Sequence, residues 1–160
     1  MKLPTSRYAI ALGSNRTHGR HGAPEAVLGA AIEELRGLGT VERCSPIHRT
    51  KALGPAGRSF ANAALILRTQ LDPPALLCAL KRIERSFGRR PGRRWGPRVL
   101  DLDIILWSGG RFATRRLDIP HPGLAARAFV LRPLAQIAPD WRVPGTGRAV
   151  RHLAFRADYH

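Results

Sequence analysis

Apolar residues in this 160-residue chain fall into short runs typical of strands and longer segments with helical spacing. The predicted strands are 7–12, 41–50, 60–67 and 99–106. One predicted helix begins at Pro24 and ends at Gly37, a second covers 72–87, and helical turns cover 124–138. Pro24 suits the first helical position, and Asp72 is a suitable N-cap. The element order predicts a ferredoxin-like α+β sandwich, with an antiparallel sheet and flanking helices.

The composition is that of an ordinary globular domain. Apolar residues make up 44% of the chain, which is enough for a core, and we expect a single domain over 1–160. No apolar run approaches the roughly 20 residues that span a bilayer. The apolar residues near the N-terminus predict a first strand and not a signal peptide. Cys44 and Cys78 lack disulfide or metal-ligand spacing, so we expect a cytoplasmic protein with reduced thiols. We also expect no membrane partner and a monomer.

The net charge is unusual. Lysine and arginine total 27 against 11 acidic residues, which gives a formal net charge of +16. Such a chain attracts polyanions, and a basic nucleic-acid-binding protein is therefore one alternative. The arginines are scattered along the chain and not gathered in one tail or helix. We accordingly expect non-specific adhesion to nucleic acid at low salt, and no specific nucleic-acid partner.

Two aspartates mark the most informative strand, in the run RVLDLDIIL. Side chains alternate along a strand, so Asp101 and Asp103 share one face while Leu100, Leu102 and Ile104 share the other. Carboxylates about 6–7 Å apart on one face repel each other unless a cation lies between them. Hard oxygen ligands suit Mg²⁺, which typically binds one or two carboxylates together with substrate phosphates.

Arginines are concentrated just before this strand: Arg85, Arg89, Arg90, Arg93, Arg94 and Arg98. Guanidinium groups match phosphate oxygens, so a metal that carries a polyphosphate explains them better than a metal alone. The alternative is that the aspartates only form salt bridges with these arginines. The segment after Gly88, RRPGRR, predicts a loop that closes over phosphates.

Two further patterns suit a flat heterocycle and a phosphate. Phe60 and Asn62 share one face of the third strand, where an aromatic ring stacks and an amide hydrogen-bonds. His121 lies between Pro120 and Pro122, which stiffen its backbone. Each pattern also has an ordinary structural explanation, a core phenylalanine in the first case and a loop histidine in the second.

An ordered set of motifs resembles one family, 6-hydroxymethyl-7,8-dihydropterin pyrophosphokinase of folate biosynthesis. The motifs are WGPR-x-LDLDI over 95–104, ALGSN over 11–15, RT at 49–50, LGP over 53–55, F-x-NA over 60–63, IE at 83–84, GR at 88–89, IPHP over 119–122, R-x-FVL over 127–131 and IAPD over 137–140. The resemblance covers roughly residues 8 to 155. Each motif is weak alone, but the ordered set is specific.

The resemblance implies an ATP-dependent diphosphotransferase that moves pyrophosphate from ATP to the hydroxymethyl group of the pterin and releases AMP. ATP is then the co-substrate, and two Mg²⁺ ions are bound by Asp101 and Asp103, with Arg89 and Arg98 as further catalytic residues. The implied pterin site comprises Thr50, Leu53, Gly54, Phe60, Asn62, Trp95, Asp101 and Phe129. The implied ATP site comprises Lys81, Glu84, Arg90, Arg98, Ile104, His121 and Arg127.

The chain departs from the family pattern at two positions. Pro91 stands where members usually have a second loop arginine, and the loop is one residue shorter. Pro122 stands where the family often has an aromatic residue. An inactive family member is therefore a further alternative. We give the Gly13-Ser14-Asn15 turn a structural role, and expect only a short terminal element beyond Arg142.

Overall fold

The computed structural model describes residues 4–15, 22–51, 59–88 and 99–158. The larger elements, in chain order, are β1 (Ser6–Ser14), α1 (Pro24–Arg36), β2 (Thr40–Cys44), β3 (His48–Lys51), β4 (Ser59–Thr69), α2 (Pro73–Ser86) and β5 (Asp101–Trp107). They are followed by β6 (Phe112–Ala113), β7 (Asp118–Ile119), a 3-10 turn (Leu124–Ala126), α3 (Ala128–Ile137), β8 (Arg142–Val143), β9 (Arg148–Ala149) and α4 (Val150–Ala157).

The main sheet is antiparallel, with the strand order β2-β4-β1-β5, and β3 also pairs with β4. With β2 and β3 counted as one interrupted strand, this order is that of a ferredoxin-like βαββαβ unit. The predicted α+β class is therefore confirmed. The long strands β1 and β4 form the centre of the sheet, and β5 lies at one edge.

Alternating side chains give the sheet a hydrophobic core on each face. One core joins Tyr8, Ile10, Leu12, Leu102 and Ile104 to α1 and α2. The other joins the small residues Ala9, Ala11 and Ala64 to α3 and α4. A register shift between Ala9 and Ile10 lets both Ile105 and Leu106 reach this second core.

One predicted strand is divided in the structure. Residues 41–50 form β2 and β3, which are separated at Ser45–Ile47. Pro46 has no N–H to donate to a sheet ladder, so the strand breaks there. Ser45 closes the break, because its N–H donates to the Ala64 carbonyl (2.8 Å) and its Oγ accepts from the Ala64 N–H (3.0 Å).

The helix capping predictions are confirmed. Pro24 is the first residue of α1, and an Asp72 carboxylate oxygen accepts a 2.9 Å hydrogen bond from the Ala75 N–H at the start of α2. Within the described ranges no helix has the length and apolarity that crossing a membrane requires.

Candidate active site

The site begins with two rows of residues across the sheet. Gly13 on β1 pairs with Asn62 on β4 and with Asp101 on β5. In the next row Ala11 pairs with Ala64 and Asp103. Paired residues of antiparallel strands point to the same face. The amide and both carboxylates therefore share one face, and glycine and alanine leave the space between them open.

A cavity of about 410 Å³ lies over these rows. Its lining comprises Ala11, Leu12, Gly13, Ser14, Asn15, Phe60, Asn62, Ala63, Asp101, Asp103, Arg127, Phe129 and Val130. Phe60 and Phe129 are 37% and 49% exposed, although most large apolar side chains of the described residues are buried. Two accessible aromatic rings, an amide and carboxylates suit a flat heterocycle with polar edges.

A second cavity, of about 260 Å³, lies beside the edge strand β5. It is lined by Leu77, Lys81, Leu102, Asp103, Ile104, Arg115, Arg116, Leu117, Asp118, His121 and Pro122. Three cationic side chains, Lys81, Arg115 and Arg116, outnumber the two acidic ones, Asp103 and Asp118, so the lining has a net positive charge at neutral pH. This charge favours a polyanion, and we call this cavity the cationic cavity. Asp103 borders both cavities and therefore connects them.

Gly123 contacts two residues of the predicted ATP site, His121 and Arg127. Its N–H donates to His121 Nδ1 over 3.1 Å. A Cβ on Gly123 would lie 2.9 Å from Arg127 Nε, so the absence of a side chain lets the Arg127 guanidinium pass. The Arg127 Cζ atom lies 6.0 Å from the centroid of the Phe129 ring.

His121 has an assigned tautomer and a shifted pKa. Because Nδ1 accepts the Gly123 N–H, a neutral ring carries its proton on Nε2. Burial lowers the pKa of His121, Asp103 opposes this shift, and Arg127 reinforces it. The ring is thus a neutral Nε2–H donor at pH 7.

Glu84 has a different environment from that expected of a direct ATP contact. Its side chain is 1% exposed. Oε2 accepts a 2.9 Å hydrogen bond from the Leu102 N–H, and Oε1 lies 3.2 Å from Lys81 Nζ. The structure therefore indicates an internal contact with β5, because the carboxylate bonds to backbone between the two aspartates.

Most of the predicted site residues that the structure describes line one of the two cavities. Phe60, Asn62, Asp101, Asp103, Arg127 and Phe129 line the first cavity, and Lys81, Asp103, Ile104 and His121 line the second. Other predicted positions lie outside the described residues, namely the Thr50 side chain and Leu53, Gly54, Arg89, Arg90, Trp95 and Arg98.

Sequence reasoning missed several lining residues. The structural role given to Gly13-Ser14-Asn15 is incomplete, since all three line the first cavity. Their position at the end of the first predicted strand, 7–12, was the available signal; in the structure β1 extends through Ser14. Arg115 and Arg116 were given no role, although two consecutive arginines before the His121 segment were a signal for the second cavity.

The carboxylate pair fits Mg²⁺ in its donor chemistry. Asp101 and Asp103 offer hard oxygens on one face of a strand. Among the described residues, no three histidine, cysteine or acidic side chains are grouped closely enough to hold a metal by themselves. An ion bound here would complete its ligands with water or phosphate oxygens, as Mg²⁺ commonly does.

Fold and site together define a ferredoxin-like α+β domain with a heterocycle cavity and a neighbouring cationic cavity that share one carboxylate. The model of one family, described as 7,8-dihydro-6-hydroxymethylpterin-pyrophosphokinase (HPPK), matches residues 9–139. The chain belongs to this family, as the motifs predicted.

Relatives with that activity in their names align over much of the chain. Each is named 2-amino-4-hydroxy-6-hydroxymethyldihydropteridine pyrophosphokinase. The protein from Synechocystis sp. is 46% identical over 118 residues, which are 74% of this chain and 60% of that protein. Those from Pseudomonas aeruginosa and Methylorubrum extorquens are 44% and 40% identical, over 86% and 88% of this chain and 84% and 87% of their own lengths. These names carry the predicted class, a pyrophosphokinase that acts on a hydroxymethyl pterin.

Solved structures support the fold. Wild-type Plasmodium falciparum HPPK-DHPS with pteroate has a TM-score of 0.71 at 12% identity, over 98% of this chain and 43% of that chain. Another wild-type structure has a TM-score of 0.74 at 13% identity, over 96% and 41%. This chain thus spans less than half of those proteins, and at such identities the likeness concerns the fold alone.

Proposed function

We propose that this protein transfers the β,γ-pyrophosphoryl group of ATP to the hydroxymethyl oxygen of 6-hydroxymethyl-7,8-dihydropterin. The hydroxyl oxygen attacks the β-phosphorus and loses its proton, the bond from that phosphorus to the α,β-bridging oxygen breaks, and AMP leaves. The single observation that carries the proposal is that Asp103 lines both the heterocycle cavity and the cationic cavity. A transfer between two substrates requires adjacent sites of these two kinds.

The pterin occupies the first cavity in this proposal. Phe60 and Phe129 stack on its faces, and Asn62 and Asp101 hydrogen-bond its edge. The open row at Gly13 supports this arrangement, because a flat ring needs a floor without side chains. Thr50, Leu53, Gly54 and Trp95 stay predicted pterin contacts.

ATP occupies the second cavity. Lys81, His121 and Arg127 neutralise phosphate oxygens, and the proton on His121 Nε2 is a donor that needs no positive charge on the ring. The backbone at Ile104 borders the nucleotide. Arg89, Arg90 and Arg98 stay predicted phosphate contacts. Phosphoryl-type transfer depends mainly on such positioning and electrostatics, so the lack of an assigned general base is not an obstacle.

Two Mg²⁺ ions would be held by Asp101 and Asp103 together with ATP. When bound, Mg²⁺ supplies neutralisation of phosphate charge and a lower pKa for a coordinated hydroxyl. Asp101 hydrogen-bonds the edge of the pterin, and both carboxylates would hold the ions that bind the phosphates. The two substrates would then meet on one side of β5.

Isothermal titration tests the proposal directly. The hydroxymethyl pterin is titrated into the protein with and without Mg²⁺ and a non-hydrolysable ATP analogue, beside Asp103→Asn. We expect tight pterin binding once the analogue is present. With ATP itself, the wild-type protein should turn over, whereas Asp103→Asn should lose turnover and largely keep its pterin affinity. Asp158→Asn is the matched control, because this partly exposed residue of the α4 end pairs with Arg132.

No pterin binding under either condition would overturn the proposed function. Salt-sensitive nucleic-acid binding without any pterin requirement would then favour the basic-protein alternative. Pterin binding without turnover would favour the inactive-member alternative. We also infer a monomer, since one chain supplies the described lining of both cavities, and light scattering tests it. The cytoplasmic location stays a prediction, supported by the proposed use of ATP.

A further inference from the structure

β5 carries both aspartates at an edge of the sheet, where β1 is its one partner among the described strands of that sheet. Successive residues of an antiparallel strand turn their backbone groups to opposite sides. Since the Leu102 N–H bonds to Glu84 on α2, it points away from β1, and the backbone groups of Asp101 and Asp103 point toward β1. Glu84 therefore anchors the outer backbone edge of β5 at Leu102, the residue between the two aspartates.

The contact with Glu84 is buried and charge-assisted. Glu84 and Leu102 are each 1% exposed, and the bond is 2.9 Å long. A carboxylate is a strong acceptor for a backbone N–H, and a buried N–H without a partner is costly. Lys81, which lines the cationic cavity, lies 3.2 Å from the second oxygen of the same carboxylate.

We propose that Glu84 is a positioning residue that fixes the backbone of β5 at Leu102 and thereby sets the directions of Asp101 and Asp103. This inference rests on the proposed function, because its catalytic consequence requires those carboxylates to act on ATP and the pterin. In this proposal Glu84 acts through the strand and through Lys81. The predicted direct contact between Glu84 and ATP stays the alternative.

The test compares Glu84→Ala, Glu84→Gln and the control Glu33→Gln, in which an exposed glutamate of α1 is changed. Glutamine keeps an oxygen that can accept the Leu102 N–H, whereas alanine removes it. The measurements are amide hydrogen exchange at Leu102 by NMR, pterin affinity by titration, and kcat and KM of the full-length protein.

We expect Glu84→Ala to accelerate exchange at Leu102 and to lower kcat roughly 10- to 100-fold, the usual range for residues that orient metal-binding side chains. Pterin affinity should decrease as well, because Asp101 contacts the pterin edge in the proposed function. Glu84→Gln should restore slow exchange, pterin affinity and most of kcat. Glu33→Gln should match wild type throughout.

Two results would overturn the inference. One is wild-type kcat in Glu84→Ala. The other is a Glu84→Gln variant that protects Leu102 and yet is inactive, which would assign the charge a direct role; this arm remains decisive if Glu84→Ala does not fold. A wild-type protein without turnover or pterin binding would instead refute the proposed function. Exchange at Leu102 would still report on the Glu84 contact in that case.

Discussion

Asn62 and Asp101 face each other across a single strand, and Gly13 is the residue between them. A Cβ on Gly13 would lie 3.2 Å from Asn62 Oδ1, which is tighter than ordinary contact. The amide and the carboxylate therefore border one open strip of backbone. This relationship makes Gly13 a sensitive position in the proposed pterin site.

Gly13→Ala should weaken pterin binding about tenfold, because the added methyl group displaces the Asn62 amide and raises the cavity floor. Titration of the pterin measures the effect. Gly29→Ala is the matched control, since Gly29 lies in α1, where an added Cβ would meet open space. That control should bind normally and gain about 0.5–1 kcal/mol in free energy of unfolding. Equal affinity of Gly13→Ala and wild type would contradict the assigned floor.

Phe129→Ala should lower pterin affinity by about 1–3 kcal/mol, the range observed when an aromatic ring that stacks on a base is removed. The free energy of unfolding should change little, because the side chain is 49% exposed. Phe155→Ala serves as control, as Phe155 is a 64% exposed phenylalanine of α4. If both variants bind the pterin alike, Phe129 is not a stacking residue.

His121 should be neutral at pH 7 in the metal-free protein, with its proton on Nε2. Nitrogen-15 NMR distinguishes this tautomer directly. The lowered pKa means that the unfolded state binds the proton more readily, so stability is full above pH 6.5 and decreases as pH falls through the folded-state pKa. His121→Gln should lose this part of the acid sensitivity. His152→Gln, which changes an exposed histidine of α4, should keep it.

Tyr8→Phe should lower the free energy of unfolding by about 1 kcal/mol, because the buried hydroxyl donates a 2.7 Å hydrogen bond to the Leu71 carbonyl. Burial, with a smaller contribution from Asp72, raises the pKa of Tyr8 from 10.0 to about 12. The unfolded state then loses its proton first, and stability should decrease between pH 10 and 12. Urea unfolding across this range should show a shallower decrease in Tyr8→Phe. Identical pH slopes would contradict the buried hydroxyl.

The sequence allowed the fold class and the carboxylate pair to be predicted because both follow from local pattern. Alternation placed Asp101 and Asp103 on one face, and the pairing of Ala11 and Gly13 with them agrees. The Asp72 cap is equally local. The family resemblance, confirmed by the matching family model, supplied Phe129 and Arg127, which alternation cannot connect with Phe60 across the chain.

Other features depend on distant contacts. Glu84 lies four residues after Leu80 and three before Phe87, which is the spacing of the buried face of α2. That its carboxylate bonds to the Leu102 N–H depends on a contact distant in sequence. The segment beyond Arg142 forms β8, β9 and α4, where Val150 and Leu153 enter the second core. Basic residues around these apolar positions obscured the helix in the sequence. The division between β2 and β3 was marked by Pro46, a local signal that the prediction did not use.

The shared border at Asp103 also has a thermodynamic consequence. Whatever charge enters the cationic cavity alters the electrostatic free energy of a molecule in the neighbouring cavity, because one carboxylate faces both. Such coupling is reciprocal: if a nucleotide raises the affinity for the heterocycle by some factor, the heterocycle raises the affinity for the nucleotide by the same factor. An inhibitor confined to either cavity would therefore have a potency that depends on the concentration of the other ligand.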